Sequence, residues 1–212
     1  MTNSTANDAR PGLISECRAS TSAPRDQPLI VGIGGTMRPG STSETALRLT
    51  LQVARQYGAQ TELFAGTSID LPVFDPGSPE RHPHATQMIE ALRRADGIII
   101  SSPGYHGSVS GMVKNALDYV EDLRGDRRPY FEGRSVGTIV CAEGPQALGS
   151  TLTTLRSIVH CLRGWNTPYG ATFNVSDKPF VGGNAKDENV MRQLELLAHQ
   201  TVHWATLNRL AA

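Results

Sequence analysis

Long apolar runs are missing from this 212-residue chain: none approaches the ~18 residues that a membrane-crossing helix needs. An excess of charge of either sign is missing too. Twenty Lys plus Arg stand against twenty Asp plus Glu, so there is no electrostatic case for nucleic acid or an anionic membrane as partner. Cysteine is scarce, with Cys17, Cys141 and Cys161 odd in number and widely spaced. That usage suggests a reduced, cytoplasmic setting rather than a disulfide framework. Metal-ligand spacing is absent: Cys161 follows His160 directly, and His82 and His84 stand beside prolines. Large apolar residues are few in residues 1–28, which are rich in Ser, Thr, Ala, Asn and Pro. This stretch lacks a secretory h-region and reads as a disordered leader or an arm laid on a partner subunit.

What is present is concentrated in two loops. Residues 97–100 form a short apolar strand leading into residues 101–110, a loop with one Pro, two Gly and four Ser around Tyr105-His106. A helix carrying Met112, Val113, Ala116, Leu117 and Val120 on its apolar stripe follows at once. In open α/β sheets, ligands sit where strand ends meet helix N-termini. A loop of Gly, Ser and Pro there lets backbone N–H groups approach a flat polar ring. The plainer alternative is an ordinary connecting loop, since such loops favour the same residues.

Leu29 to Gly34, LIVGIG, reads as the first strand. After it come Gly35, Thr36, Met37, Arg38, Pro39, Gly40 and the N-cap types Ser41, Thr42 and Ser43, ahead of a helix over 44–57. A helix N-terminus offers unpaired N–H groups and a positive dipole end, and Arg38 adds a planar donor fork. That combination suits a terminal phosphomonoester. The dinucleotide pattern G-x-G-x-x-G fails because Met37 stands where the third glycine belongs, and no Lys follows Gly40 to make a P-loop. FMN fits the hydroxyl-rich loop better than NAD or ATP. The competing reading is a serine-capped helix with Arg38 free in solvent.

The rest of the chain alternates strand and helix. The pattern predicts a strand over 60–64, irregular chain over 65–83, a helix over 85–94, a strand over 135–141 and a helix over 148–163 stopped by Gly164. A short strand over 169–173 and a long helix over 190–210 complete it. Strands separated by helices imply a parallel sheet covered on both faces. The expected fold is α/β, a flavodoxin-like three-layer sandwich with a five-stranded parallel sheet in the order 2-1-3-4-5, one domain over 29–212.

Two motifs tie the chain to a family. Gly35, Thr36, Arg38, Ser41 and Ser43 satisfy G-[ST]-x-R-x-x-S-x-[ST/N]. Ser102, Pro103, Tyr105, Ser108, Ser110, Gly111, Val113, Lys114, Asn115, Leu117 and Asp118 satisfy S-P-x-Y-x-x-S-x-[SP]-G-x-[LV]-K-N-x-[LI]-D. The chain thereby resembles the NAD(P)H-dependent FMN reductases, which include flavodoxin-like quinone, azo and chromate reductases, from about Leu29 to Phe173. The resemblance implies FMN as cofactor and NADPH or NADH as electron donor. It implies a small-molecule acceptor: free flavin for a partner monooxygenase, a quinone, an azo compound or a metal oxyanion. It also implies a homodimer or homotetramer. A flavodoxin-like electron carrier or FMN-binding redox sensor is the non-enzymatic alternative, disfavoured because such carriers are often strongly acidic.

On that resemblance, Thr36, Arg38, Ser41 and Ser43 are expected around the phosphate, with Gly35 and Thr42 as further cofactor-binding positions, and Pro103, Gly104, Tyr105, His106, Gly107 and Ser108 along the ring. Glu143 and Gly144 stand where the family has a glycine-rich third loop, and this chain departs from that pattern. No side chain is required as an obligate acid or base, because the flavin carries the chemistry. His106 is expected to shape its loop or bind through its backbone rather than to catalyse. Lys114 and Asp118 are spaced for an i,i+4 pair. GSVSG over 107–111 is no hydrolase elbow, because Val109 occupies the nucleophile's position.

Overall fold

The structure is a computed structural model and describes residues 27–210; the leader expected over 1–28 therefore lies almost wholly outside the described residues. Strand β1 (Leu29–Gly34) is buried at every position, as expected of a parallel strand covered on both faces. Asp96 sets its start: its carboxylate accepts from Leu29 N at 2.8 Å, and its own N–H donates to Leu29 O at 2.9 Å. Helix α1 (Thr42–Gln56) returns antiparallel to β2 (Gln60–Ala65), which pairs with β1 in parallel register. Helix α1 lies close on the sheet because a Cβ at Gly32 would sit 2.6 Å from Leu51 Cδ1.

Helix α2 (Pro83–Arg94) starts with Pro at its first position, where the missing N–H costs nothing. Strand β3 (Gly97–Tyr105) follows, then β4 (Ser108–Val109) and α3 (Gly111–Asp118). Strand β5 (Ser135–Ala142) leads to α4 (Pro145–Cys161), β6 (Trp165–Asn166) and β7 (Ala171–Asn174). A small antiparallel hairpin of β8 (Phe180–Val181) and β9 (Asn184–Ala185) precedes the 23-residue α5 (Glu188–Leu210).

The sheet runs β2-β1-β3-β5, and the place beyond β5 is shared by two short strands, β6 on Ser135–Val136 and β7 on Ile139–Ala142. That is the expected 2-1-3-4-5 order with its fifth strand split. Pro168 and Gly170 separate the two pieces; the strand expected over 169–173 is β7, shifted to Ala171–Asn174, and β6 is an additional segment before it. Apolar cores fill both faces. One includes Met88, Leu92, Val113, Val120, Phe131 and Leu155; the other includes Leu47, Leu51, Leu194, Leu197 and Ala198.

The main departure from the sequence pattern is in β3. Residues 101–105, expected as loop, continue the strand: Ser101, Ser102 and Pro103 pair with Ile139, Val140 and Cys141 of β5. Low strand propensity is overridden because β5 supplies a complete ladder partner. Pro103 is tolerated because β1 stops pairing at Ser101, leaving that side of β3 an edge. Tyr105 and Ser108 then pair across a two-residue turn in which His106 (φ 53°) and Gly107 (φ 79°) are both left-handed, the geometry of a type I′ hairpin. Helices α1, α2, α4 and α5 each begin two or three residues before the apolar pattern does, since their first turns carry cap residues instead.

At the amino edge of the sheet, Arg134 is 1% exposed. Its guanidinium donates to the carbonyls of Arg93 (2.9 Å), Ala95 (3.2 Å), Tyr130 (2.9 Å) and Glu132 (3.4 Å). It thus ties the end of α2 to the 130–132 turn. Burial pushes its pKa down to about 9, which leaves it charged at neutral pH. Among the described residues, no helix is long and apolar enough to cross a membrane.

Candidate functional site

The loops after β1, β3 and β5 open on the carboxyl edge of the sheet and meet at a cleft of about 440 Å³. The first wall is the turn from Thr36 to Ser43. The Thr36 hydroxyl accepts from Arg38 N at 3.1 Å and donates to Arg38 O at 3.3 Å, a local turn that shapes the loop. Ser41 caps α1, accepting from Glu44 N at 3.3 Å, and its Oγ lies 3.5 Å from Ser43 Oγ; both serines are buried. The N–H groups of Thr42 and Ser43, in the first turn, have no carbonyl of their own helix to reach. Ser101 Oγ donates to Ser43 O at 2.8 Å, locking this turn onto β3. Close packing here depends on Gly34, where a Cβ would sit 1.9 Å from Ser101 O.

Glu44 complicates the electrostatics. Its carboxylate accepts from Gly40 N at 3.0 Å and from Arg48 at 2.7 Å, bracing the loop from behind and spending one amide. Arg38 is exposed, and its guanidinium makes no hydrogen bond or ion pair among the described residues. Among the described residues it is the single full positive charge lining the cleft, and Glu143 is the single carboxylate.

The second wall is the β3–β4 hairpin: Pro103, Gly104, Tyr105, His106 and Gly107 all line the cleft. Gly104 is required by packing, since a Cβ there would lie 2.8 Å from Thr151 Oγ1 and 2.9 Å from Ala142 Cβ. His106 holds a left-handed turn position that His, Asn and Asp tolerate better than other side chains. Tyr105 is 55% exposed at the mouth. The third wall is short, because α4 begins at Pro145, directly after Gly144.

The structure brings together eleven of the fourteen residues expected at the site: Thr36, Arg38, Ser41, Thr42, Ser43, Pro103, Gly104, Tyr105, His106, Gly107 and Glu143. Three lie elsewhere. Gly35 lines a neighbouring hollow with Met37, Tyr105 and Met112. Gly144 lines another with Pro145, Gln146 and Ser150, contiguous with the cleft through His106, Gly107 and Glu143. Ser108 is a hairpin residue paired with Tyr105, outside all of these hollows.

Four lining residues were missed: Cys141, Ala142, Ala147 and Val175. Cys141 and Ala142 were readable as the last residues of a strand ending at the site. Val175 carries no local signal; the pairing of Ala142 with Asn174 brings it there. Burial pushes the Cys141 thiol well above the ordinary range, so it serves as wall and not as nucleophile.

Other motif residues are structural. Ser102 Oγ donates to Pro103 O at 2.8 Å and accepts from Ser110 N at 3.1 Å, and Ser110 caps α3. Asn115 holds the irregular chain that covers α3, accepting from Phe74 N at 2.9 Å and donating to the carbonyls of Leu71 and Pro72. Lys114 and Asp118 form the i,i+4 pair at 2.6 Å, exposed on α3. Among the described residues, no three His, Cys, Asp or Glu side chains cluster to hold a metal ion.

A parallel sheet with a capped, hydroxyl-rich β1–α1 loop and a glycine hairpin after β3 defines a flavodoxin-like α/β protein. Solved structures with this fold include FerB, a flavoenzyme NAD(P)H:(acceptor) oxidoreductase from Paracoccus denitrificans (TM-score 0.64, 18% identity, covering 85% of this chain and 98% of that one). A WrbA-like flavodoxin from Agrobacterium tumefaciens also shares it (TM-score 0.61, 13% identity, 86% and 99% covered). The family model for NADPH-dependent FMN reductase matches residues 28–178, and the chain belongs to that family.

Among curated relatives, NADPH-dependent FMN reductase ArsH of Acidithiobacillus ferrooxidans is 25% identical over 134 residues, 63% of this chain and 55% of that protein. FMN-dependent NADPH-azoreductase of Staphylococcus aureus is 32% identical over 114 residues, 54% and 53% of the two chains. The chain spans about half the length of the curated relatives it matches.

Proposed function

We propose that this chain is an NAD(P)H-dependent FMN oxidoreductase that passes hydride from nicotinamide through FMN to a small-molecule acceptor. One observation carries this reading. The cleft has an anion-seeking end, built from unpaired Arg38, the serines and the first-turn amides of α1, and a flat, small-residue end at Pro103–Gly104. A phosphate attached to a planar ring needs both.

FMN, when bound, supplies the hydride chemistry. Arg38, Ser41, Thr42 and Ser43 hold the phosphate, Arg38 through charge-assisted hydrogen bonds and Thr42 and Ser43 through their amides. Pro103, Gly104 and Gly107 let the hairpin backbone lie against the ring, and Tyr105 shields one edge from water. Backbone N–H groups of the hairpin that reached the ring would favour its reduced, more negative form without reorganising. The contiguous hollow beside His106, Glu143 and Gly144 receives the second ring, first nicotinamide and then acceptor. Free flavin for a monooxygenase, a quinone, an azo compound and a metal oxyanion are the acceptor classes that this reading admits. A reducing cytoplasmic setting is supported by Cys141 and Cys161, both free. A homodimer or homotetramer is the assembly proposed, on the family resemblance.

Anaerobic stopped-flow mixing with NADH and NADPH tests the reading. Bleaching of protein-bound FMN by at least one of them, then reoxidation by an acceptor, is the expected result. FMN that binds but is reduced by neither would replace the enzyme with an electron carrier.

A further inference from the structure

The chain has only two tryptophans, and the fold places both on one surface far from the cleft. Trp165 on β6 is 59% exposed and Trp204 on α5 is 40% exposed. Their ring centroids lie 5.5 Å apart at 47°, a tilted pair in contact that leaves an outer face of each ring uncovered. The pair lines a cavity of about 380 Å³ that also includes Pro168, His199 and His203. The two imidazoles lie nearly parallel, 8° apart with centroids at 5.6 Å. This volume falls in the range of small-molecule sites, roughly 300–1,000 Å³. Exposing so much aromatic surface in one concave patch is the mark of a binding site rather than of chance.

The chemistry of the occupant follows from what the lining can still offer. Among the described residues, no Asp, Glu, Lys or Arg lines the cavity. Its polar side chains are largely spent within the protein. The Ser135 hydroxyl donates to Thr201 O, the Thr167 hydroxyl to Tyr169 O and the Asn166 amide to Arg156 O, while Gln200 Oε1 accepts from Tyr169 N. What remains is flat aromatic face, imidazole edges at the rim and one acceptor, Asn166 Oδ1, which is buried and has no partner among the described residues.

We infer that this cavity is a second ligand site, for an uncharged, planar, fused-ring aromatic molecule packed against the exposed faces of Trp165 and Trp204. It lies at the amino end of β5, by Ser135, whereas the cleft lies by Cys141 and Ala142. Six residues of extended strand separate the two by ~20 Å, so a molecule here does not accept hydride from the cleft.

Nile red, an uncharged fused-ring dye excited beyond the flavin absorption, tests the inference on the full chain with FMN present. Saturable binding at one dye per chain is expected, with micromolar affinity that added FMN leaves unchanged. Trp204→Ala and Trp165→Ala should each weaken it at least tenfold while FMN binding and the thermal midpoint show that the variants are folded. Absence of saturable binding, displacement by FMN, or binding that survives both substitutions overturns the inference. Binding that emerges only after dilution to monomer, or after removal of residues 1–26, overturns it too, since the patch is then covered by a second copy or by the chain itself.

Discussion

Arg38 and Arg134 carry the same guanidinium to opposite edges of one sheet, and the fold treats them in opposite ways. Arg134 is enclosed, and four backbone carbonyls accept from it. Arg38 is exposed, has no partner among the described residues, and stands beside a capped helix N-terminus. A buried cation must have its acceptors supplied by the protein, or folding bears the desolvation cost. A cation left without acceptors beside amides that also lack them is positioned for an anion from outside. The lesson is that satisfaction, rather than residue type, separates a structural arginine from a binding one.

Substitutions sharpen that contrast. Arg134→Met should be the most damaging, because it strands the carbonyls at the end of α2. A loss of about 3 kcal/mol is expected, a fall in thermal midpoint of roughly 6–12 °C, with the FMN affinity of the folded fraction unchanged. Arg38→Ala should do the reverse. Stability should move by less than about 0.5 kcal/mol, while FMN binding weakens by about 1.5–3 kcal/mol, roughly 10- to 150-fold by fluorescence titration. Unchanged FMN affinity in that variant would remove the phosphate assignment.

Smaller effects come from His106 and from pH. His106→Val forces a β-branched residue into a left-handed turn and should cost about 1–2 kcal/mol, whereas His106→Asn should be near neutral in both stability and NAD(P)H-driven reduction. A large loss of turnover in a folded His106→Asn enzyme would make the imidazole catalytic. Arg134 also leaves a pH signature. Its folded pKa of about 9 lies well below the ordinary arginine range, because burial disfavours the charged form. As pH rises from about 9, the unfolded chain holds this proton more firmly than the folded one, so the group adds stability with rising pH. Denaturant titrations between pH 8.5 and 10.5 should show a more positive slope for the native chain than for Arg134→Met.

Much of the cleft was legible because its parts are local. Arg38 and the serines follow one strand, and Pro103 to Gly107 follow another, so proximity to strand ends was enough to nominate them. Legibility failed where a partner strand decided the outcome. Residues 101–105 have the composition of a loop and become a strand because β5 lies alongside. Ser108 matches the family motif and yet faces a hairpin instead of the cleft, since a two-residue turn pairs it with Tyr105.

By itself the sequence determined the α/β alternation, the helix caps and the two hydroxyl- and glycine-rich turns, because periodicity, capping and turn chemistry act over a few residues. Tertiary structure alone decided which carbonyls enclose Arg134, that Val175 reaches the cleft, and that Trp165 meets Trp204 across 39 positions of chain. Those contacts depend on strand order and register, and a residue's neighbours in sequence hold no record of its partners across a sheet.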